Sequence, residues 1–237
     1  RLIISASGAI EGKKTLEYKP MIEKAIEEAA HKPEKCIIYQ RQFVKAAMVS
    51  RALRRSHLEL LIHTGQHYDD AMSAAFFRDL EMPAPDVNLE VGSGSHGTQT
   101  AAMIAGLEAV LLEEQPDGVV VYGDTNSTLA AAVVTSKLAY PGGRRPWLAH
   151  VEAGLRTGNI HAPWPEEMNR RLTSAIATLH FAPTQRARQN LLAEGVADSM
   201  IHVTGNTVID ALLGVVERIK SDPAMKLELD RQFSYLD

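Results

Sequence analysis

The sequence predicts an α/β fold: a Rossmann-like, doubly wound parallel sheet with helices on both faces. Three observations predict it. Short apolar runs rich in β-branched residues alternate with longer helical patterns along 237 residues. One run, "DGVVVYG" at 117–123, is apolar through its centre, as a strand buried on both faces requires. Strict strand–helix alternation means parallel pairing through right-handed crossovers.

The elements follow in order. "RLIIS" (1–5) reads as a buried strand. Residues 18–32 place Met21, Ile22, Ala25, Ile26 and Ala29 on one helical face. "KCIIY" (35–39) is a strand, 43–55 a helix and 58–64 a strand. A helix over 69–80 opens on aspartate. The glycine- and serine-rich "GSGSHG" leads into a long helix over 98–115. After strand 117–123 come a helix over 125–140, strand 146–152 and a helix over 165–178 with proline in its first turn. Strand 179–183, helix 184–195, strand 200–205 and helix 206–220 complete the series. From Ser221 the chain is polar and weakly patterned, and no terminating element is expected there.

Composition excludes several function classes. A net charge of −4 offers no basic field for nucleic acid or anionic membrane. Aromatics at 5% argue against a stacking platform for single strands. The single Cys36 rules out an internal disulfide framework and fits a reducing compartment. No apolar run reaches the roughly 18–20 residues of a membrane helix. A cytoplasmic protein is therefore expected, with no secretory leader.

In a doubly wound sheet, ligands bind beyond the carboxyl ends of the strands. "GDTNS", "EAGLRTG" and "TGNT" all fall there. Asp124 either caps the following helix or points into a cleft beside a helix N-terminus suited to anions. Glu152 directly follows an apolar strand, with Arg156 four residues on. It is either a proton-transfer carboxylate or half of a loop-pinning pair. Glu166 and Glu167 open a helix whose dipole favours them in any case. Asn169 and Arg170 share a face with Glu166. "HTGQHYDD" has the residue types of a metal site, but its spacing crosses a strand end, a turn and a helix start, so no metal is expected. "GSGSHGTQT" lacks the Lys-Ser/Thr ending of a P-loop and reads as a loop over the cleft.

From Phe43 to Asp237 the chain resembles the N-terminal domain of the non-hydrolysing UDP-N-acetylglucosamine 2-epimerases. The stretches that carry the resemblance are "FVKAAMVSRAL", "TGQHYD", "GDTNSTLA", "HVEAGLRTG", "PWPEEMNR", "APTQRARQNLL" and "VTGNTVIDALL". The resemblance implies two Rossmann-like domains in a B-type glycosyltransferase arrangement, with UDP-sugar between them. It implies inversion at C2 of UDP-GlcNAc, giving UDP-ManNAc, by elimination and re-addition of UDP. It assigns Asp124, Glu152, Glu166 and Lys45 as catalytic, and Arg156, Asn169 and Arg170 as substrate contacts or scaffold. It implies no metal and no cofactor, and it suggests a homodimer.

Two departures qualify the resemblance. The family's glycine–arginine loop before the lysine helix is absent. Residues 1–42 instead resemble a βαβ piece of an acetyl/propionyl-CoA synthetase, with a seam near Gln42 and Phe43. That piece is expected to add a strand and a helix at an edge of the sheet, with Ile3 and Ile4 beside Ile37 and Ile38. The chain is also expected to lack the family's second domain. An inactive, truncated chimera is therefore expected, binding UDP-sugar weakly or not at all. The alternative is an engineered or recombinant α/β scaffold with no activity of its own.

Overall fold

The computed structural model describes residues 9–11, 14–16, 35–40, 43–65 and 82–232. The strand expected over 1–5 and the helices expected over 18–32 and 69–80 lie outside these residues. A two-stranded antiparallel ribbon joins β1 (Ala9–Glu11) and β2 (Lys14–Leu16). The main sheet has seven parallel strands: β3 (Lys35–Gln40), β4 (Leu58–His63), β5 (Val87–Asn88), β6 (Gly118–Tyr122), β7 (Trp147–Val151), β8 (Leu179–Ala182) and β9 (Ile201–Val203). Their spatial order is β5-β4-β3-β6-β7-β8-β9. The chain thus winds outward twice from β3, and the switch point lies between β3 and β6.

The helices are α1 (Phe43–Leu53), α2 (His96–Glu114), α3 (Asn126–Lys137), α4 (Glu166–Ile176), α5 (Gln185–Ala193), α6 (Thr207–Ser221) and α7 (Pro223–Gln232). Each face of the sheet carries its own core. On β6, Val120 and Tyr122 join Ala46, Val49, Leu53 and Leu61 on the α1 side. Val119 and Val121 join Met103, Leu107, Ala131 and Val134 on the α2/α3 side. Period-two alternation with apolar residues in both registers buries the strand twice over. Gly118 is required at its start: a Cβ there would lie 2.0 Å from the Trp147 ring on the neighbouring strand.

Two expectations need correction. Strand β3 lies at the centre of the sheet, flanked by β4 and β6 where Ile3 and Ile4 were expected as neighbours. Ile37 pairs with Leu60 on one side and Val119 on the other. Hydrogen-bond capacity decides this, because a strand has two edges and both are taken. The tail from Ser221 also contains an element, α7, entered at Asp222, whose carboxylate accepts from the amides of Ala224 and Met225. Among the described residues, no helix is long and apolar enough to cross a membrane.

Candidate active site

The site forms where β6, β7 and the loop into α4 meet. After β6 the chain turns at Gly123 (φ 65°), where the left-handed backbone favours glycine. Strand β7 grips this turn twice. The Gly123 amide donates to Val151 O at 3.0 Å, and His150 Nε2–H donates to Gly123 O at 2.7 Å. His150 is fully buried, and its Nδ1 has no partner among the described residues. Burial is the main reason its pKa falls to about 3; His180, Arg156 and Arg170 add to the effect against the bond to Gly123. The ring is neutral, so Nε2 carries the hydrogen and holds the turn.

Asp124 follows at the mouth. Arg170 Nη2 donates to its Oδ2 at 2.5 Å, and both side chains are mostly buried. Thr125, not Asp124, caps α3: its hydroxyl accepts from the Thr128 amide. The N-cap position that the sequence left open is therefore filled by Thr125, while the Asp124 carboxylate is held by Arg170.

Glu152 leaves β7 in a left-handed backbone, φ 67°, and is buried. A non-glycine residue in this region costs about 1–3 kcal/mol and clusters at functional sites. Two residues on, Gly154 (φ 84°) lies against α5, and a Cβ there would meet Ala187 O at 2.2 Å. Asn190 Nδ2 donates to Gly154 O at 2.8 Å. The loop therefore leaves β7 along a fixed path.

The arginines do different work from what the spacing suggested. Arg156 forks onto Glu194 through Nε (2.8 Å) and Nη2 (2.6 Å), and also reaches Ser174 and Leu155 O. It ties the loop to the ends of α4 and α5. Arg170 bridges Asp124 and Glu167, the second bond being 3.2 Å. Glu167, which sequence reasoning left as a first-turn charge, is the fully buried hub of this wall. It also accepts from the Thr157 amide at 3.1 Å and from Arg171 at 3.3 Å. Burial by itself would raise its pKa, but Thr157, Arg170, Arg171 and Arg156 together pull it below the usual carboxylate value.

Glu166, half-buried at the first position of α4, makes no side-chain bond among the described residues. Asn169 Nδ2 donates to Asp124 O at 2.9 Å and to Asn126 Oδ1 at 3.2 Å. Lys45 belongs to the first turn of α1, but its side chain lies outside the described residues. His63 ends β4, whereas His67, Asp69 and Asp70 lie outside the described residues. Among the described residues, no group of three or more His, Cys, Asp or Glu side chains could hold a metal ion.

The sequence and the fold are matched in known proteins. Residues 51–235 match the family described as UDP-N-acetylglucosamine 2-epimerase. A UDP-N-acetylglucosamine 2-epimerase homolog of Methanococcus maripaludis is 48% identical over 179 residues, covering 76% of this chain and 48% of that protein. The structure of Methanocaldococcus jannaschii UDP-GlcNAc 2-epimerase in complex with UDP-GlcNAc and UDP superposes with a TM-score of 0.74 at 41% identity. It covers 83% of this chain and 52% of the other. The Neisseria meningitidis enzyme bound to UDP-GlcNAc gives 0.77 at 33% identity, covering 86% and 53%. The chain spans about half the length of the curated relatives it matches. With the match spanning residues 51–235, from before β4 to beyond β9, the chain belongs to the UDP-N-acetylglucosamine 2-epimerase family.

Proposed function

We propose that this chain supplies the carboxylate wall of a UDP-sugar 2-epimerase site that interconverts UDP-GlcNAc and UDP-ManNAc. One observation carries the reading: Asp124, Glu152 and Glu166 stand at adjacent strand ends and a helix start, Glu152 in a left-handed backbone, while Thr125 rather than Asp124 is the N-cap of α3. Solved relatives that hold UDP-GlcNAc or UDP support the substrate class.

The chemistry asks for two proton-transfer groups. A carboxylate takes the C2 proton, the C1–O bond breaks, and UDP leaves with the electron pair, giving a 2-acetamidoglucal. UDP oxygen then re-adds at C1 while an acid returns a proton to the opposite face of C2. Glu152 and Glu166 are the proposed proton-transfer pair. Asp124, oriented by Arg170, faces the same mouth. Lys45 is proposed as a cleft group on α1. Asn169, Arg170 and Arg156 serve as scaffold before they serve as substrate contacts.

Charge supports a single wall. Arg156, Arg170 and Arg171 each hold a carboxylate. The departing diphosphate therefore has to find its counter-charge elsewhere. Losing one such preorganised group costs about 10²–10³ in rate. The chain alone is accordingly proposed to bind weakly and to turn over below detection. Residues 1–42 are proposed to derive from an acyl-CoA-synthetase-like βαβ unit, and a cytoplasmic homodimer completes the reading.

Thermal melting with UDP and UDP-GlcNAc tests the proposal, because a ligand that binds only the folded state raises Tm. A rise in Tm at millimolar ligand, smaller in Glu152→Gln, is expected. No shift with either ligand sinks the UDP-sugar reading. Formation of UDP-ManNAc that is lost in Glu152→Gln would keep the site but overturn the inactivity.

A further inference from the structure

A hydrogen-bond chain with fixed direction runs from the floor of the site to its rim. Asn169 Nδ2 lies 2.9 Å from Asp124 O. A main-chain carbonyl can only accept, so Asn169 must present its NH2 group there. The second hydrogen of that group meets Asn126 Oδ1 at 3.2 Å. With its oxygen accepting, Asn126 turns Nδ2 to His96 Nδ1, 2.7 Å away. An amide nitrogen only donates, so Nδ1 accepts and the neutral ring keeps its hydrogen on Nε2. Each step follows from the one before, beginning at an atom whose role is fixed.

The chain also crosses from buried to exposed. Asn169 and Asn126 are 2% and 4% exposed, whereas His96 lies at the surface. The imidazole meets Trp164 edge to face, centroids 4.8 Å apart at 84°. His96 opens α2, Asn126 opens α3, and Trp164 stands two residues before Glu166. One ring therefore joins the entrances of three helices. A buried amide donor left without an acceptor costs about 1–3 kcal/mol, so the outer end of the chain matters to its inner members.

We propose that His96 is a positioning residue of this site. By accepting from Asn126 and bracing Trp164, it keeps the Asn126–Asn169 pair on the main chain of Asp124. It thereby sets where the Asp124 carboxylate and the entrance to α4 stand for a nucleotide-sugar. The benefit to ligand binding rests on the UDP-sugar reading above; the hydrogen-bond chain does not.

Long-range 1H–15N spectra of the 237-residue chain should show His96 with an unprotonated Nδ1 and a protonated Nε2. Asn126→Asp, which puts a carboxylate opposite Nδ1, should move the hydrogen to Nδ1. The Asn169 side-chain amide should exchange about tenfold faster in His96→Ala and near the parent rate in His96→Gln, whose Oε1 can accept. UDP-GlcNAc affinity should follow the same order, about tenfold weaker in His96→Ala and within about threefold in His96→Gln. A hydrogen on Nδ1 in the parent overturns the proposal, as does Asn169 exchange that His96→Ala leaves unchanged. If the parent binds no UDP-sugar, the functional reading fails, and tautomer and exchange alone decide the role of His96. If His96→Ala does not fold, the parent tautomer and its reversal in Asn126→Asp decide it.

Discussion

At residue scale, Glu152 and Glu167 show how two carboxylates fifteen positions apart take opposite roles. Glu152 holds a left-handed backbone that glycine would adopt without cost. Glu152→Gly is expected to raise stability by about 1 kcal/mol while abolishing any UDP-sugar binding. Urea denaturation and ligand melting measure the two, and a destabilised glycine variant would mean that the side chain's own contacts outweigh the strain. Glu167 is the reverse case, a buried charge among three donors. Glu167→Gln should destabilise by about 3 kcal/mol, because it removes the buried charge that Arg170 and Arg171 share and leaves Arg170 with Asp124 alone. A loss under about 1 kcal/mol in chemical denaturation would remove Glu167 as the hub. The sequence marked Glu152, Glu166 and Asp124 through their places at strand and helix ends. It could not rank Glu167 above Glu166, since burial of neighbouring residues in one helical turn depends on what covers the helix.

At element scale, the loop after β7 is set by contact with α5 as much as by its own residues. Gly154→Ala adds a Cβ 2.2 Å from Ala187 O in a backbone that disfavours side chains. A loss of about 3 kcal/mol or more is expected. Asn190→Ala, which removes only the bond to Gly154 O, should cost about 1 kcal/mol. Equal losses in the two variants would show that the close approach is not what fixes the loop. Periodicity located α2 to α6 within three residues at each end, because apolar spacing reports burial directly. It missed α7, where the Asp222 cap rather than an apolar stripe starts the helix. It could not name the neighbours of β3, whose apolar run fits an edge or a centre equally well until both partners are known.

At the scale of the whole molecule, pH exposes what is buried. His150 and His180 titrate near 3 and 4 in the folded chain, against 6.5 when free, mainly through burial. The unfolded chain therefore binds more protons between those values, and stability must fall as pH drops from 6.5. Each group contributes a slope of up to about 1.4 kcal/mol per pH unit. Glu167, whose folded pKa is lowered, acts with the same sign: its contribution is complete above the normal carboxylate value and is lost as pH falls through the lower folded one. Urea midpoints measured from pH 7 to 4 should decline, and His150→Gln should flatten the decline. A parent profile that stays level would contradict a neutral buried His150. The sequence by itself determined the fold class, the parallel sheet and the family, because these follow from local patterns and contiguous motifs. Only the tertiary structure decided that β3 is central, that Arg156 serves Glu194, that Glu167 is the hub and that His96 closes a chain on Asp124. Each of those depends on which side chains distant in sequence are brought within hydrogen-bond reach, and periodicity carries no record of that.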